Sequence, residues 1–262
     1  MGENEKLDDE DEILKQIFGD SSEDECFEDQ TVMNDSSYEV GHIRKWEQVK
    51  EIKGLWLCRI FISPQQQSSL LSAIRNEGWF MDASQNQAMR FGNLPTWAVE
   101  LSDSVYEAVL SSNHMTDTLT MDRYNGDKVD CPLPSDILWR EPLFDQMIAN
   151  VYQPGEGICA HVDLMRFEDG IAIVSLESPC VMHFTRVYET SYDPSIKGEV
   201  DLLASKVPVY LNPGSLVILW GEARYLWKHE INRKPGFQIW EGQELSQERR
   251  TSITLRKLCH VE

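Results

Sequence analysis

After Pro142 the chain reads as a succession of short apolar segments, and this run constrains the fold more than any other feature. The segments are "MIANVYQ" (147–153), "IAIVSL" (171–176), "CVMHFT" (180–185), "VPVYL" (207–211), "SLVILW" (215–220) and "RTSITLRKL" (250–258). They are rich in β-branched and aromatic residues and are parted by turns such as "QPGEG" and "NPGS". Segments this short and punctuated this way read as strands. Many short strands bury their faces only by pairing into sheets that curl or stack, so the back half predicts a barrel or jelly roll.

The front half has helical spacing. In "ISPQQQSSLLSAIRNEGW", Ser63 is placed to cap a helix, Pro64 fits its first turn, Gln66 completes a capping box and Gly78 marks the end. In "TWAVELSDSVYEAVLSS", Trp97, Leu101, Val105 and Ala108 recur at helical intervals. Helices followed by strands give an α+β class, a barrel or jelly roll with N-terminal helical support.

Charge divides the chain. The net charge is −20 over 262 residues, and residues 1–40 hold fifteen Asp/Glu against Lys6 and Lys15, a net of −13, which leaves −7 for residues 41–262. The expected organisation is a disordered acidic tail, 1–40, ahead of one folded domain, 41–262. Within the tail Ile13, Leu14, Ile17 and Phe18 share one side of a helical wheel, which reads either as a partner-docking helix or as a transient turn. Six cysteines without a C-x-x-C pair suggest neither a zinc ribbon nor a disulfide framework. With no basic-then-apolar leader pattern and no apolar run of about 18 residues, the expected setting is soluble and intracellular, in cytoplasm or nucleus, with no membrane partner.

The chemistry concentrates in "GICAHVDLMRF", where His161 and Asp163 are two apart and, on a strand, would share a face. A facial triad of two histidines and one carboxylate, the arrangement of iron(II) oxygenases, then needs a second histidine downstream. His183, His229 and His260 are the candidates; His183 lies within a strand and could equally be structural, and His229 follows an apolar strand and a Gly-Glu turn. In "RRTSITLRK" a period of two puts Arg250, Ser252, Thr254 and Arg256 on one face and Thr251, Ile253 and Leu255 on the other. Two arginines on one strand face point either to solvent at a sheet edge or to an anion inside a barrel, since buried guanidinium groups must be paired. Asn150 and Tyr152 also share a face and could hydrogen-bond a small anion or merely pack.

Taken together these elements resemble the AlkB family of iron(II)/2-oxoglutarate dioxygenases over roughly residues 55–260. The likeness rests on Asn150-Val-Tyr152 with Pro154-Gly155, His161-Val-Asp163, "SLESPCVMHF", His229 and "RTSITLR" with Arg250 and Arg256. The wording of "GEARYLWKHEI" and "SLESPCVMHF" is similar to the dioxygenase domain of the AlkB homologues that act on wobble uridines of tRNA. The resemblance implies a double-stranded β-helix in which His161, Asp163 and His229 bind Fe(II). It also implies that Asn150, Tyr152, Arg250, Ser252, Thr254 and Arg256 surround the co-substrate 2-oxoglutarate, with Arg250 or Arg256 on its distal carboxylate. "QAMRFGNLPTW" resembles the family's substrate-facing lid, where Arg90 and Phe91 would contact a phosphate or stack a base.

The implied activity is oxidation of a modified base in RNA or DNA, with tRNA among the candidates, and with dioxygen and 2-oxoglutarate consumed to succinate and carbon dioxide. Arg44, Lys45, Arg75, Arg90, Arg123 and Lys128 are candidate contributors to a basic mouth. Two other readings stay open: the same chemistry on a protein side chain, favoured by the acidic balance, and a catalytically silent scaffold that binds a protein partner through its tail. The triad and both arginines argue against the scaffold, which has no use for them.

Overall fold

All six segments expected as strands pair in the computed structural model, which describes residues 44–82, 84–119, 131–187 and 206–259. The acidic segment 1–40, Arg123, Lys128 and His260 lie outside the described residues.

The strands in chain order are β1 (Trp46–Gln48), β2 (Leu55–Cys58), β3 (Gln87–Phe91), β4 (Gln146–Tyr152), β5 (Ile158–His161), β6 (Ile171–Leu176), β7 (Cys180–Arg186), β8 (Val207–Leu211), β9 (Leu216–Leu219), β10 (Trp227–Ile231), β11 (Ile239–Trp240), β12 (Gln243–Glu244) and β13 (Arg250–Arg256). The helices are α1 (Pro64–Asn76), α2 (Thr96–Leu119), α3 (Ser135–Leu138) and α4 (Glu222–Tyr225). A seven-stranded sheet runs β1-β2-β9-β6-β13-β4-β3, a four-stranded sheet runs β5-β10-β7-β8, and β11 and β12 form a small hairpin. Every pairing is antiparallel.

Helix α1 begins as its sequence dictates: the Ser63 side chain accepts from the Gln66 backbone N–H, and the Gln66 side chain accepts from the Ser63 N–H. Together with α2 it covers the outer face of the large sheet. Leu70, Ile74, Trp97, Leu101 and Val105 pack there on Met147, Ala149, Val174, Leu216, Ile253 and Leu255. The inner face is divided. Leu55, Leu57, Ile173, Val217 and Leu219 meet Met182, Phe184, Val209, Leu211 and Trp227 of the smaller sheet in a second apolar cluster. Around β13 and β4 the same face is polar.

Strand β13 is therefore central, flanked by β4 and β6, and the reading of it as an exposed edge is excluded. Seven strands escape the sequence pattern: β1, β2, β3, β5, β10 and the two short strands β11 and β12. The first part of the stretch expected as a lid is β3, an edge strand on β4. Among the described residues no helix is long and apolar enough to cross a membrane.

Candidate metal and co-substrate site

Two strands from distant parts of the chain bring the histidines together. His161 ends β5 and His229 lies in β10, and the two face each other directly in the antiparallel register. Their ring centroids are 4.3 Å apart. A bulge gives β5 one extra residue between the His161–His229 and Ile158–Ile231 pairs. Gly157 permits the approach, because a Cβ on it would lie 1.9 Å from the Ile231 carbonyl oxygen.

The carboxylate arrives differently from the expectation. Strand β5 stops at His161, so Asp163 is not the next inward residue of a strand but belongs to the irregular segment that follows. Its Oδ2 lies 3.8 Å from His229 Nε2, and the ligand atoms of His161, Asp163 and His229 all fall within 4.8 Å of one another. Of the other histidines, His183 sits across from Glu230 on β10, the face opposite His229, and belongs to the outside of the sheet.

The electrostatics suit a cation. Burial is the main cause that drives His229 down to about 4, so its imidazole is neutral at physiological pH with a lone pair to offer. Burial alone would raise the Asp163 carboxyl, but His229, Arg256 and His161 together outweigh it and hold the carboxyl below its usual range. Arg256 donates from Nη1 to Asp163 Oδ1 at 2.6 Å and from Nε to Gln146 Oε1 at 2.6 Å. Its guanidinium also stacks 4.0 Å above the Phe167 ring.

The other end of β13 is built from the same residue type with different company. Register places Arg250 opposite Tyr152, Ser252 opposite Asn150, Thr254 opposite Ile148 and Arg256 opposite Gln146, so the expected face exists as one buried polar strip. Arg250 is 1% exposed and donates from Nη2 to Ser175 Oγ at 2.9 Å. Its Nε and Nη1 have no hydrogen-bond partner among the described residues. Tyr152 lies beneath it, in contact with Ser252, and burial raises the phenol above its ordinary value. Gln87 on β3 donates to the Asn150 side-chain oxygen at 2.7 Å.

Two buried arginines have no counterpart in the sequence reading. Arg224 and Arg233 are each 2% exposed and, among the described residues, donate to main-chain oxygens rather than to acids. With Arg250 and Arg256 they make four buried guanidinium groups among the described residues, against Asp163 as the buried acid. Such an excess of positive charge is costly in an apolar surrounding. A dianion relieves it, and a dicarboxylate with a metal-binding head suits both ends of the strip.

Arg90 and Phe91 are separated by the pleat. Phe91 pairs with Gln146 and so shares the face of the polar strip, where the Arg166 guanidinium stacks on its ring. Arg90 pairs with Met147 on the opposite, helix-covered face and lies 4.3 Å over the Trp79 ring. The expectation that both face the substrate is thus corrected for Arg90: neighbours on a strand point to opposite sides.

A model of the 2OG-Fe(II) oxygenase superfamily matches residues 54–256. The chain is similar to uncharacterized protein L905 of Acanthamoeba polyphaga mimivirus, at 27% identity over 216 residues, covering 82% of this chain and 89% of that one. It is also similar to the alkylated DNA repair protein ALKBH8 homolog of Arabidopsis thaliana, at 26% identity over 79% of this chain and 59% of that protein. The tRNA (carboxymethyluridine(34)-5-O)-methyltransferase alkbh8 of Xenopus tropicalis is 28% identical over 79% of this chain, which spans 32% of its length. Among solved structures, that of OsALKBH1 shares the fold with a TM-score of 0.50 at 14% identity, covering 78% of this chain and 96% of that one.

Proposed function

Because the chain belongs to the 2OG-Fe(II) oxygenase superfamily, we propose that it oxidises a modified base in nucleic acid, and that the strip along β13 is its co-substrate site. The chain is an AlkB-like dioxygenase dependent on Fe(II) and 2-oxoglutarate. Iron(II) supplies the redox chemistry that couples decarboxylation of 2-oxoglutarate to oxygen transfer. His161, Asp163 and His229 would hold the ion, a set of two imidazoles and one carboxylate.

The observation that carries the co-substrate assignment is the pair of unpartnered donors on Arg250. Unpartnered donors on a buried guanidinium are costly, and the oxygens of a carboxylate satisfy them with charge-assisted bonds. Arg250 therefore takes the distal carboxylate of 2-oxoglutarate, with Tyr152 and Ser252 beside it, while Asn150 and Thr254 line the path towards the metal. Arg256 is already engaged by Asp163; it keeps that carboxyl ionised and aimed at the ion. Phe167 beneath it and the apolar cluster of Met182, Phe184 and Trp227 exclude bulk water from the reacting centre.

The nucleic-acid substrate draws on what the relatives' names say of them, and on the exposed Phe91 and Arg166 beside the strip, a flat surface on which a base can stack. Residues 1–40 remain candidates for binding a protein partner, and cytoplasm or nucleus is the expected location. Nucleoside mass spectrometry of RNA and DNA from cells lacking the protein tests the substrate: one modified nucleoside should accumulate, and the purified protein should convert it with stoichiometric succinate. An unchanged nucleoside profile, with succinate formation stimulated by peptides instead, would transfer the activity to protein side chains.

A further inference from the structure

Asp163 is gripped at both of its ends by arginine. Arg256 takes its side chain, and Arg224 takes its main chain: Nη1 donates to the Asp163 carbonyl at 2.9 Å, and Nη2 to the carbonyls of Leu164 at 2.8 Å and Phe167 at 3.2 Å. The guanidinium is buried, stacks 4.8 Å over Tyr225, and among the described residues donates to backbone oxygens. A charge set into a protein interior without an acid is expensive and persists where the groups it organises matter.

The segment it organises needs such help. Residues 162–164 pair with no strand, so the ladder that aligns His161 with His229 does nothing for Asp163. The far side of the segment is held by the stretch after β13: Glu168 N–H donates to the Lys257 carbonyl at 2.8 Å and Cys259 N–H to the Arg166 carbonyl at 2.9 Å. Nearer the metal ligand, Arg224 is the clamp. It lies in α4, five residues before His229, so one short stretch of chain supplies a ligand and fixes the backbone of another.

We infer that Arg224 is a positioning residue of the metal site: its forked bonds to residues 163–167 set the direction of the Asp163 carboxylate before the ion arrives. This rests on the iron reading above. Groups that orient metal ligands typically change affinity by about 10- to 100-fold when removed. Lysine at this position keeps the charge but loses the planar fork, and reaches fewer of the three carbonyls.

Cobalt(II) titration of the metal-free protein, followed by its visible spectrum, tests the inference without turnover. Arg224→Lys should bind cobalt at least tenfold more weakly, with an altered spectrum. Arg140→Lys is the matched control, because Arg140 caps the carbonyls of Leu143, Asp169 and Gly170 without touching residues 163–167. It should lower the melting temperature while leaving cobalt affinity within about twofold of wild type. Wild-type affinity in Arg224→Lys, or an equal loss in Arg140→Lys, overturns the positioning role. Failure of the wild-type protein to bind cobalt overturns the metal reading itself. Hydrogen exchange on the wild-type chain decides the point should Arg224→Lys fail to fold: residues 162–167 should be protected to within about threefold in metal-free and cobalt-loaded protein. A gain above tenfold on loading would mean that the ion, not Arg224, orders the segment.

Discussion

The two ends of β13 carry the same residue on the same face and use it in opposite ways. Arg256 is engaged at Nε and Nη1, with bonds to Gln146 and Asp163 and a ring beneath it. Arg250 makes one bond, to Ser175, and keeps Nε and Nη1 without a partner among the described residues. Identical side chains on one strand therefore divide the labour of the site, and the division follows from what the neighbouring strands present: an acid at one end, hydroxyls at the other.

The strongest way to break this comparison is to remove what Arg256 is bonded to. Asp163→Ala should abolish cobalt binding and reduce succinate formation to background, a loss of at least about a thousandfold in turnover. It also strands a buried guanidinium, so urea unfolding of the metal-free variant should show a loss of about 3–5 kcal/mol. A variant of wild-type stability would mean that Arg256 does not depend on Asp163.

The arginines themselves should then separate. Arg250→Ala should raise the KM for 2-oxoglutarate more than tenfold while cobalt affinity stays within about twofold. Arg256→Met should do the reverse, weakening cobalt more than tenfold. Parallel effects in both titrations would erase the distinction.

A pH series sharpens it further. With His229 at about 4 in the folded protein and near 6.5 when unfolded, the unfolded chain takes up a proton first as the medium is acidified. Stability of the metal-free protein should be complete above pH 6.5 and fall by about 3 kcal/mol between pH 6.5 and 4, a slope that His229→Gln should largely remove. At the Arg250 end the titrating neighbours are Tyr152 and Cys180, both pushed up mainly by burial, so their contribution is lost only as pH rises through the alkaline range. The smallest effect belongs to the edge strand: Arg90→Ala should cost about 0.5–1 kcal/mol in thermal unfolding and leave substrate turnover intact, whereas Phe91→Ala should raise the KM for nucleic acid.

The sequence was informative where one element sufficed to express a rule. Alternation along "RRTSITLRK" gave β13 its two faces, and the Ser63–Gln66 box marked the start of α1. The front-half strands were less legible: β1 and β2 are short, and β3 lies in a stretch whose wording resembled a substrate-facing lid. "WKHEI" alternates as a strand should, but five residues beside a helical turn carry little weight alone. Asp163 was assigned to the right company for an incomplete reason, since the i, i+2 rule holds only while a strand lasts. Arg224 and Arg233 left no signal, because their acceptors are main-chain oxygens many residues away, and a carbonyl has no letter in a sequence.

Gly157 gives the site an unexpected dependence. It carries no functional group and faces solvent, yet a single methyl there would meet the Ile231 carbonyl. In a saturation mutagenesis scan this residue should score with the metal ligands rather than with the surface loop it sits in, since every side chain wedges β5 away from β10 and parts the two imidazoles. Intolerance at a position without chemistry would then measure how finely the spacing of two strands has been set to the diameter of one ion.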